Sequence, residues 1–226
     1  MMLVARLMLA ALLMMTGPAL AGSVTVIDGD TFDLDGVRYR VHGIDAPEAG
    51  QRCASGKGGT WDCGAAAIAK LENLLLPASV VSCDTGTPDG YGRTVAICRA
   101  DGVDVGQEMV ADGLAWAFVK YSTDYLSVEA VARDARRGIW RAPTEPAWEF
   151  REIRWASFGS EAPDPTCPIK GNISNKGERI YHPPWSPVYS RTKISPEKGE
   201  RWFCDEGEAV AAGWRQAYWG RRNDGG

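Results

Sequence analysis

Three short runs rich in β-branched and aromatic residues, at 23–27, 31–34 and 37–43, follow one another with only Asp-Gly-containing breaks between them. Runs this short with gaps this small leave room for little except tightly turned antiparallel strands. Asp35-Gly36 supplies the hairpin turn between the second and third runs. In the third, Val37, Tyr39 and Val41 share one face and Arg38 and Arg40 share the other, because side chains alternate along a strand. The first break, Asp28-Gly29-Asp30, sets a carboxylate on each side of a glycine. Asp-Gly is a common turn pair. The same carboxylates would serve as hard-cation ligands if partner oxygens converged from elsewhere in the chain. Both readings stand on this fragment alone.

Further along, periodicity changes from two to 3.6. In 64–76, Ile68, Leu71 and Leu75 fall at helical spacing and Pro77 stops the helix. Strands are predicted at 80–84 and 94–99, a short helix at 104–112, and a brief strand at 114–118. A last helix is expected over 125–137, capped by Ser122 or Thr123 and closed by Gly138. The resulting class is α+β: a five-stranded OB-fold-like β-barrel with about three helices, over 22–142. A Pro-rich connector, 143–166, contains a helix-compatible piece at 146–158. A small C-terminal α+β module, 167–220, ends in a helix at 206–212 with Asp205 as N-cap and Gly213 as stop.

The first 21 residues read as a cleaved signal peptide: Arg6, an apolar core LMLAALLMM, and a small-x-small site at Ala19-Leu20-Ala21. Export to the periplasm or the extracellular space is therefore expected, with no membrane span after cleavage, as is a monomer. The six cysteines, at 53, 63, 83, 98, 167 and 204, then suggest disulfides. Neighbour pairing, 53–63, 83–98 and 167–204, is the expectation; sequence alone does not choose among the connectivities. Zinc is disfavoured, since no CxxC occurs and only His42 and His182 offer imidazoles. A net charge of −4 argues against a general polycationic coat for nucleic acid and requires any polyanion site to be local.

Asp30 has candidate partners in Ile44-Asp45-Ala46-Pro47-Glu48. Pro47 holds Ala46 extended, so that its carbonyl can join Asp30 and Asp45 in an all-oxygen set suited to Ca2+. An EF-hand is excluded, because Tyr39 stands where the twelfth-position glutamate would be. Arg40 and Arg93 are placed to grip a tetrahedral phosphodiester, for which the guanidinium offers permanent charge and paired donors. Taken singly, each also reads as an ordinary surface charge.

Jointly, IDGDTF, RYRVHGIDAPE, DGYGRTVA, DGLAWAFVKY and ARRGIW, in this order, resemble the thermonuclease, or staphylococcal-nuclease-like, family over 23–141. The resemblance implies that Asp30, Asp45 and the Ala46 carbonyl bind Ca2+, and that Glu48 activates or positions the attacking water. It further implies that Arg40 and Arg93 hold the scissile phosphate, with Tyr91 and Tyr121 contacting the nucleotide. The implied activity is a Ca2+-dependent endonuclease acting on DNA and RNA, preferably single-stranded or denatured, with little sequence specificity and leaving 3′-phosphate ends. Two departures stand out. Ala46 replaces the threonine common in the family, and AGQRCASGKGGTWDC, with two cysteines, inserts between Glu48 and the first helix.

The stretches IKGNIS, RIYHPPWSPVYSRTKI and GERWFCDEGEAVAAGWRQA resemble a C-terminal module of exported bacterial proteins sometimes called a sunset domain, which implies no activity. The alternative to a nuclease is a non-catalytic module that binds a phosphorylated or envelope partner.

Overall fold

The computed structural model describes residues 23–218. The predicted signal peptide lies outside them. The opening strands are β1 (Val24–Asp28), β2 (Thr31–Leu34) and β3 (Val37–Val41), each antiparallel to the next. Asp35 and Gly36 both take positive φ, 51° and 82°, the mirror-image hairpin turn expected from that pair. Next come β4 (Ile44–Asp45), the hairpin β5 (Arg52–Ala54) and β6 (Thr60–Asp62), and α1 (Cys63–Leu75). The Asp62 carboxylate caps α1 by accepting from the Ala65 amide.

Short strands β7 (Val81–Cys83), β8 (Thr87–Pro88), β9 (Thr94–Ala96), β10 (Cys98–Ala100) and β11 (Val103–Asp104) follow. After them come α2 (Val105–Ala111), β12 (Trp116–Ala117) and α3 (Leu126–Asp134).

This part has the α+β, OB-like character expected, yet among the described residues its strands run in separate ladders instead of one closed barrel. The main sheet has the order β1-β2-β3-β9-β8, with β11-β10-β7 and β12-β4 beside it. The single strand expected at 94–99 is divided at Ile97. Before that residue the chain pairs with β3, and after it with β7, so one run of strand-forming residues serves two sheets.

The last helix of this part also differs. The Ser122 hydroxyl accepts from the Asp124 amide, a local turn, and α3 starts after Tyr125 with no side-chain cap. It ends at Asp134, with Arg136 in the left-handed region at φ 51°, before Gly138 is reached. Gly138 answers a different need: a Cβ there would lie 1.9 Å from the Gly113 carbonyl oxygen.

Beyond it lie α4 (Ala147–Phe158) and a four-stranded sheet, β15-β13-β14-β16, built from β13 (Ile169–Ile173), β14 (Arg179–His182), β15 (Arg201–Phe203) and β16 (Arg215–Gln216). Between β15 and β16 runs α5 (Glu206–Ala211), capped by Asp205, whose carboxylate accepts from the Glu208 amide.

Three apolar clusters hold the molecule together. The first packs Ala67, Ile68, Leu71 and Leu75 of α1 against Val26, Phe32 and Val41. A second gathers Cys53, Cys63, Trp116, Ile139 and Ala147. The third, of Ile169, Tyr181, Phe203, Ala209 and Trp214, also receives Trp155. Helix α4 thus begins in the second cluster and reaches the third. The disulfides are Cys53–Cys63, Cys83–Cys98 and Cys167–Cys204, the neighbour pairing.

Candidate active site

The interrupted strand at Asp28-Gly29-Asp30 is a bulge: the β1–β2 register shifts between Val26 and Asp28. Gly29 is forced by crowding, since a Cβ there would lie 2.8 Å from that of Ala46 and 2.9 Å from that of Ala67. The bulge turns Asp30 inward, where it accepts from the Thr31 hydroxyl at 2.9 Å and stands 2.9 Å from Arg40 Nη2. Arg40, opposite Thr31 in the β2–β3 register, reaches across to Asp45 at 2.8 Å. Asp45 is held in place by the pairing of β4 with β12 and is fully buried.

A second guanidinium closes the cluster. Arg151 of α4 donates to both Asp45 oxygens, at 3.1 and 2.8 Å, and to Glu48 Oε1 at 2.5 Å. Glu48 is fixed from behind. Its amide donates to Gln51 Oε1, and Gln51 Nε2 donates to the Glu145 carbonyl just before α4. Gly64 of α1 packs so tightly on this loop that a Cβ would meet the Glu48 carbonyl oxygen at 1.9 Å. The two-cysteine insertion therefore ties the Glu48 loop, α1 and the start of α4 into one unit.

These groups floor a cleft of about 420 Å3. Asp28, Asp30, Arg40, Ala46 and Glu48 face into it, and Arg93, Tyr91 and Tyr121 stand on its rim. Asp45 lies behind Arg40 and Arg151. Arg93 leads out of the turn that Asp89 organises, where the Asp89 carboxylate accepts from the Tyr91 and Arg93 amides and from Arg93 Nε at 2.7 Å. The Arg93 guanidinium sits over the Tyr91 ring at 5.1 Å from its centroid. Burial disfavours the charged Asp89 carboxylate, but the Arg93 amide and charge outweigh it and hold Asp89 below its ordinary value. Tyr121 is largely exposed.

Four carboxylates, Asp28, Asp30, Asp45 and Glu48, face only two guanidiniums on the floor. The imbalance shows in titration. Burial, then Glu48 and Asp30, push Asp28 well above the usual carboxylate range. Burial lifts Glu48 to about 7; Arg151 opposes the rise, and Asp45 and Asp30 add to it. Burial works against the charges of Arg40 and Arg151, but the carboxylates outweigh it and raise both above the ordinary guanidinium value.

An oxygen-only donor set with surplus negative charge fits a hard cation such as Ca2+ in chemistry and charge. Among the described residues, however, no group of three or more His, Cys, Asp or Glu is preassembled to hold a metal. The Asp45 oxygens are instead engaged by Arg40 and Arg151. A cation would take the place of guanidinium contacts already made.

Every site residue inferred from sequence thus lies on the floor, directly behind it, or on the rim. Sequence reasoning missed Arg151, Gln51 and the aromatic residues of α4. Their one available signal was the spacing of Trp148, Arg151 and Trp155, which places them along one face of a helix.

The family model for staphylococcal nuclease homologues matches residues 38–142, so Asp28 and Asp30 precede the matched stretch and Arg151 follows it. The succinoglycan biosynthesis protein ExoI of Rhizobium meliloti is 37% identical over 152 residues, covering 63% of this chain and 78% of that protein. An uncharacterized endonuclease of Escherichia coli is 32% identical over 57% of this chain and 82% of its own length. The micrococcal nuclease of Shigella flexneri is 30% identical over 57% of this chain and 78% of its own length.

Proposed function

The chain belongs to the staphylococcal nuclease family, and from that premise we propose that it is an exported, Ca2+-dependent endonuclease that hydrolyses DNA and RNA. The observation that carries this reading is the connected network Asp30–Arg40–Asp45–Arg151–Glu48 on the floor of a cleft with Arg93 at its rim.

The roles follow from what each group can do. Asp30, Asp45 and the Ala46 carbonyl would hold Ca2+, which when bound neutralises charge on the non-bridging phosphate oxygens. Arg40 and Arg93 donate to those oxygens and stabilise the charge that grows on them in the transition state. Glu48, beside the open cleft, accepts the proton of a water as its oxygen attacks phosphorus. The P–O5′ bond breaks as the P–O(water) bond forms, O5′ departs with the bonding pair and takes a proton from solvent to become the 5′-hydroxyl, and the phosphate stays on the 3′ side. Glu48 serves as base only when ionised. In the cation-free protein that requires a pH above about 7, and a cation held beside Glu48 would favour its ionised form.

End analysis of products from denatured DNA and from RNA tests this. The expected termini are 3′-phosphate and 5′-hydroxyl, with Glu48→Gln and Arg93→Ala each slowing cleavage by orders of magnitude; 5′-phosphate ends count against it. A second reading is favoured by the closure of the acids with Arg151 and by a relative named for polysaccharide biosynthesis. In it, the cleft binds a phosphorylated ligand without cutting. Oligonucleotide binding without hydrolysis across divalent ions would select that reading.

A further inference from the structure

Helix α4 lies beyond the stretch matched to the family, yet it forms one wall of the cleft. Trp148, Arg151 and Trp155 follow at intervals of three and four residues, so all three turn to the same side. Each tryptophan carries a second aromatic ring behind it. Trp148, 37% exposed, is stacked on Phe118 with centroids 5.6 Å apart and planes 20° apart. Trp155 lies against Trp185 at 6.3 Å and 32°, and these two also border an adjoining apolar hollow of about 340 Å3 that opens beside Arg151. Seven residues of helix separate the tryptophans by about 10 Å along the axis, with the guanidinium of Arg151 between them.

On the α4 side, Arg151 and Lys120 accompany the rings. The cleft is also lined by Asp205 and Glu206, pinned by the Glu208 amide and by the Tyr181 hydroxyl, and by Arg93, whose turn packs on the start of α5. An aromatic face beside a cation is the combination that holds an unpaired nucleobase with its phosphate, because every base offers a π-face and only an unpaired strand exposes it.

We propose that α4 supplies two nucleobase-stacking subsites, at Trp148 on Phe118 and at Trp155 on Trp185, which hold bases on either side of the phosphate nearest Arg151. The inference rests on the nuclease reading for the identity of its ligand and adds the residues that make an unpaired strand the substrate. Trp148 and Trp155 are binding residues and take no part in bond breaking.

The test is fluorescence anisotropy with a labelled oligo(dT) and an abasic oligomer of equal length, on the full chain carrying Glu48→Gln so that neither is cut. Oligo(dT) should bind at least tenfold more tightly than the abasic strand. Trp148→Leu should remove about tenfold of the oligo(dT) affinity while leaving abasic binding and the salt dependence unchanged, and Trp155→Leu, which also loosens the packing of α4, should weaken oligo(dT) binding more than abasic binding. Trp148→Phe should restore most of the loss.

Equal binding of the two oligomers overturns the proposal and needs no tryptophan variant to fold. So does a loss in the variants that is the same for both oligomers. Failure of the nuclease reading looks different: the unsubstituted chain would bind oligo(dT) in preference to the abasic strand and never hydrolyse it.

Discussion

Removing Arg151 is the perturbation whose outcome the cluster fixes most tightly. Its guanidinium makes three hydrogen bonds, two to a carboxylate with no solvent exposure and one to Glu48, while being about one-quarter exposed itself. Breaking a buried pair by deleting one partner costs about 3–5 kcal/mol, because the charge left behind has lost its compensation. Asp45 keeps Arg40 at 2.8 Å, which places Arg151→Ala at the lower end, about 3 kcal/mol. For a chain of this size that is a fall in Tm of about 6–12 °C in a chelator.

Calcium should reverse much of the fall. A unit positive charge about 4 Å from another costs about 4 kcal/mol at an effective dielectric constant near 20, so a cation entering beside Asp45 and Glu48 binds more easily once Arg151 is gone. Titration calorimetry should show Ca2+ affinity rising at least tenfold in the variant. Scanning fluorimetry should show a larger Ca2+-induced rise in Tm for the variant than for the unsubstituted protein. An unchanged Tm in chelator, or Ca2+ shifts of equal size in the two proteins, would refute the claim that guanidinium and cation compete for the same oxygens.

Three other outcomes follow from the same contacts. Gln51→Ala severs the tie between the Glu48 amide and the Glu145 carbonyl and strands the buried Glu48 amide; it should cost about 1–3 kcal/mol by denaturant titration and slow cleavage at least tenfold. Gly64→Ala should displace the Glu48 loop, so cleavage falls sharply at temperatures where circular dichroism still shows a folded chain. His182 is held down to about 4 by burial and by the charges of Arg215 and Lys170. Between its ordinary pKa near 6.5 and that value the unfolded chain binds the extra proton, so stability drops as pH falls through the window and is fully present above it. His182→Gln should make the acid side of a Tm–pH curve shallower across that window, and an unaltered slope would show that His182 does not contribute.

What could be read from sequence, and what could not, divides by the range of the interaction. The turn at Asp35-Gly36, the cap at Asp205 and helix α1 are local, and local residue chemistry specified them. Asp30, Arg40, Asp45 and Glu48 were legible because they lie within 19 residues and their types only make sense together. The division of one strand at Ile97 was not legible, since either sheet satisfies the same residues. Nor was the end of α3, where Arg136 adopts the left-handed conformation that Gly138 was expected to supply. Arg151 was hidden because its partners are 103 and 106 residues away. Only the anchoring of α4 through Ala147 in one core and Trp155 against another aims it at the cleft.

The proposed function makes this acid and arginine cluster a cation-dependent phosphodiesterase site. Cleavage of end-labelled denatured DNA, followed as Ca2+ is titrated into EGTA-treated protein, tests it most directly. No cleavage is expected in EGTA, with a saturable return of activity as Ca2+ is added and no return in Asp45→Asn. Cleavage at full rate in EGTA, or a Ca2+ response undiminished by Asp45→Asn, would contradict it.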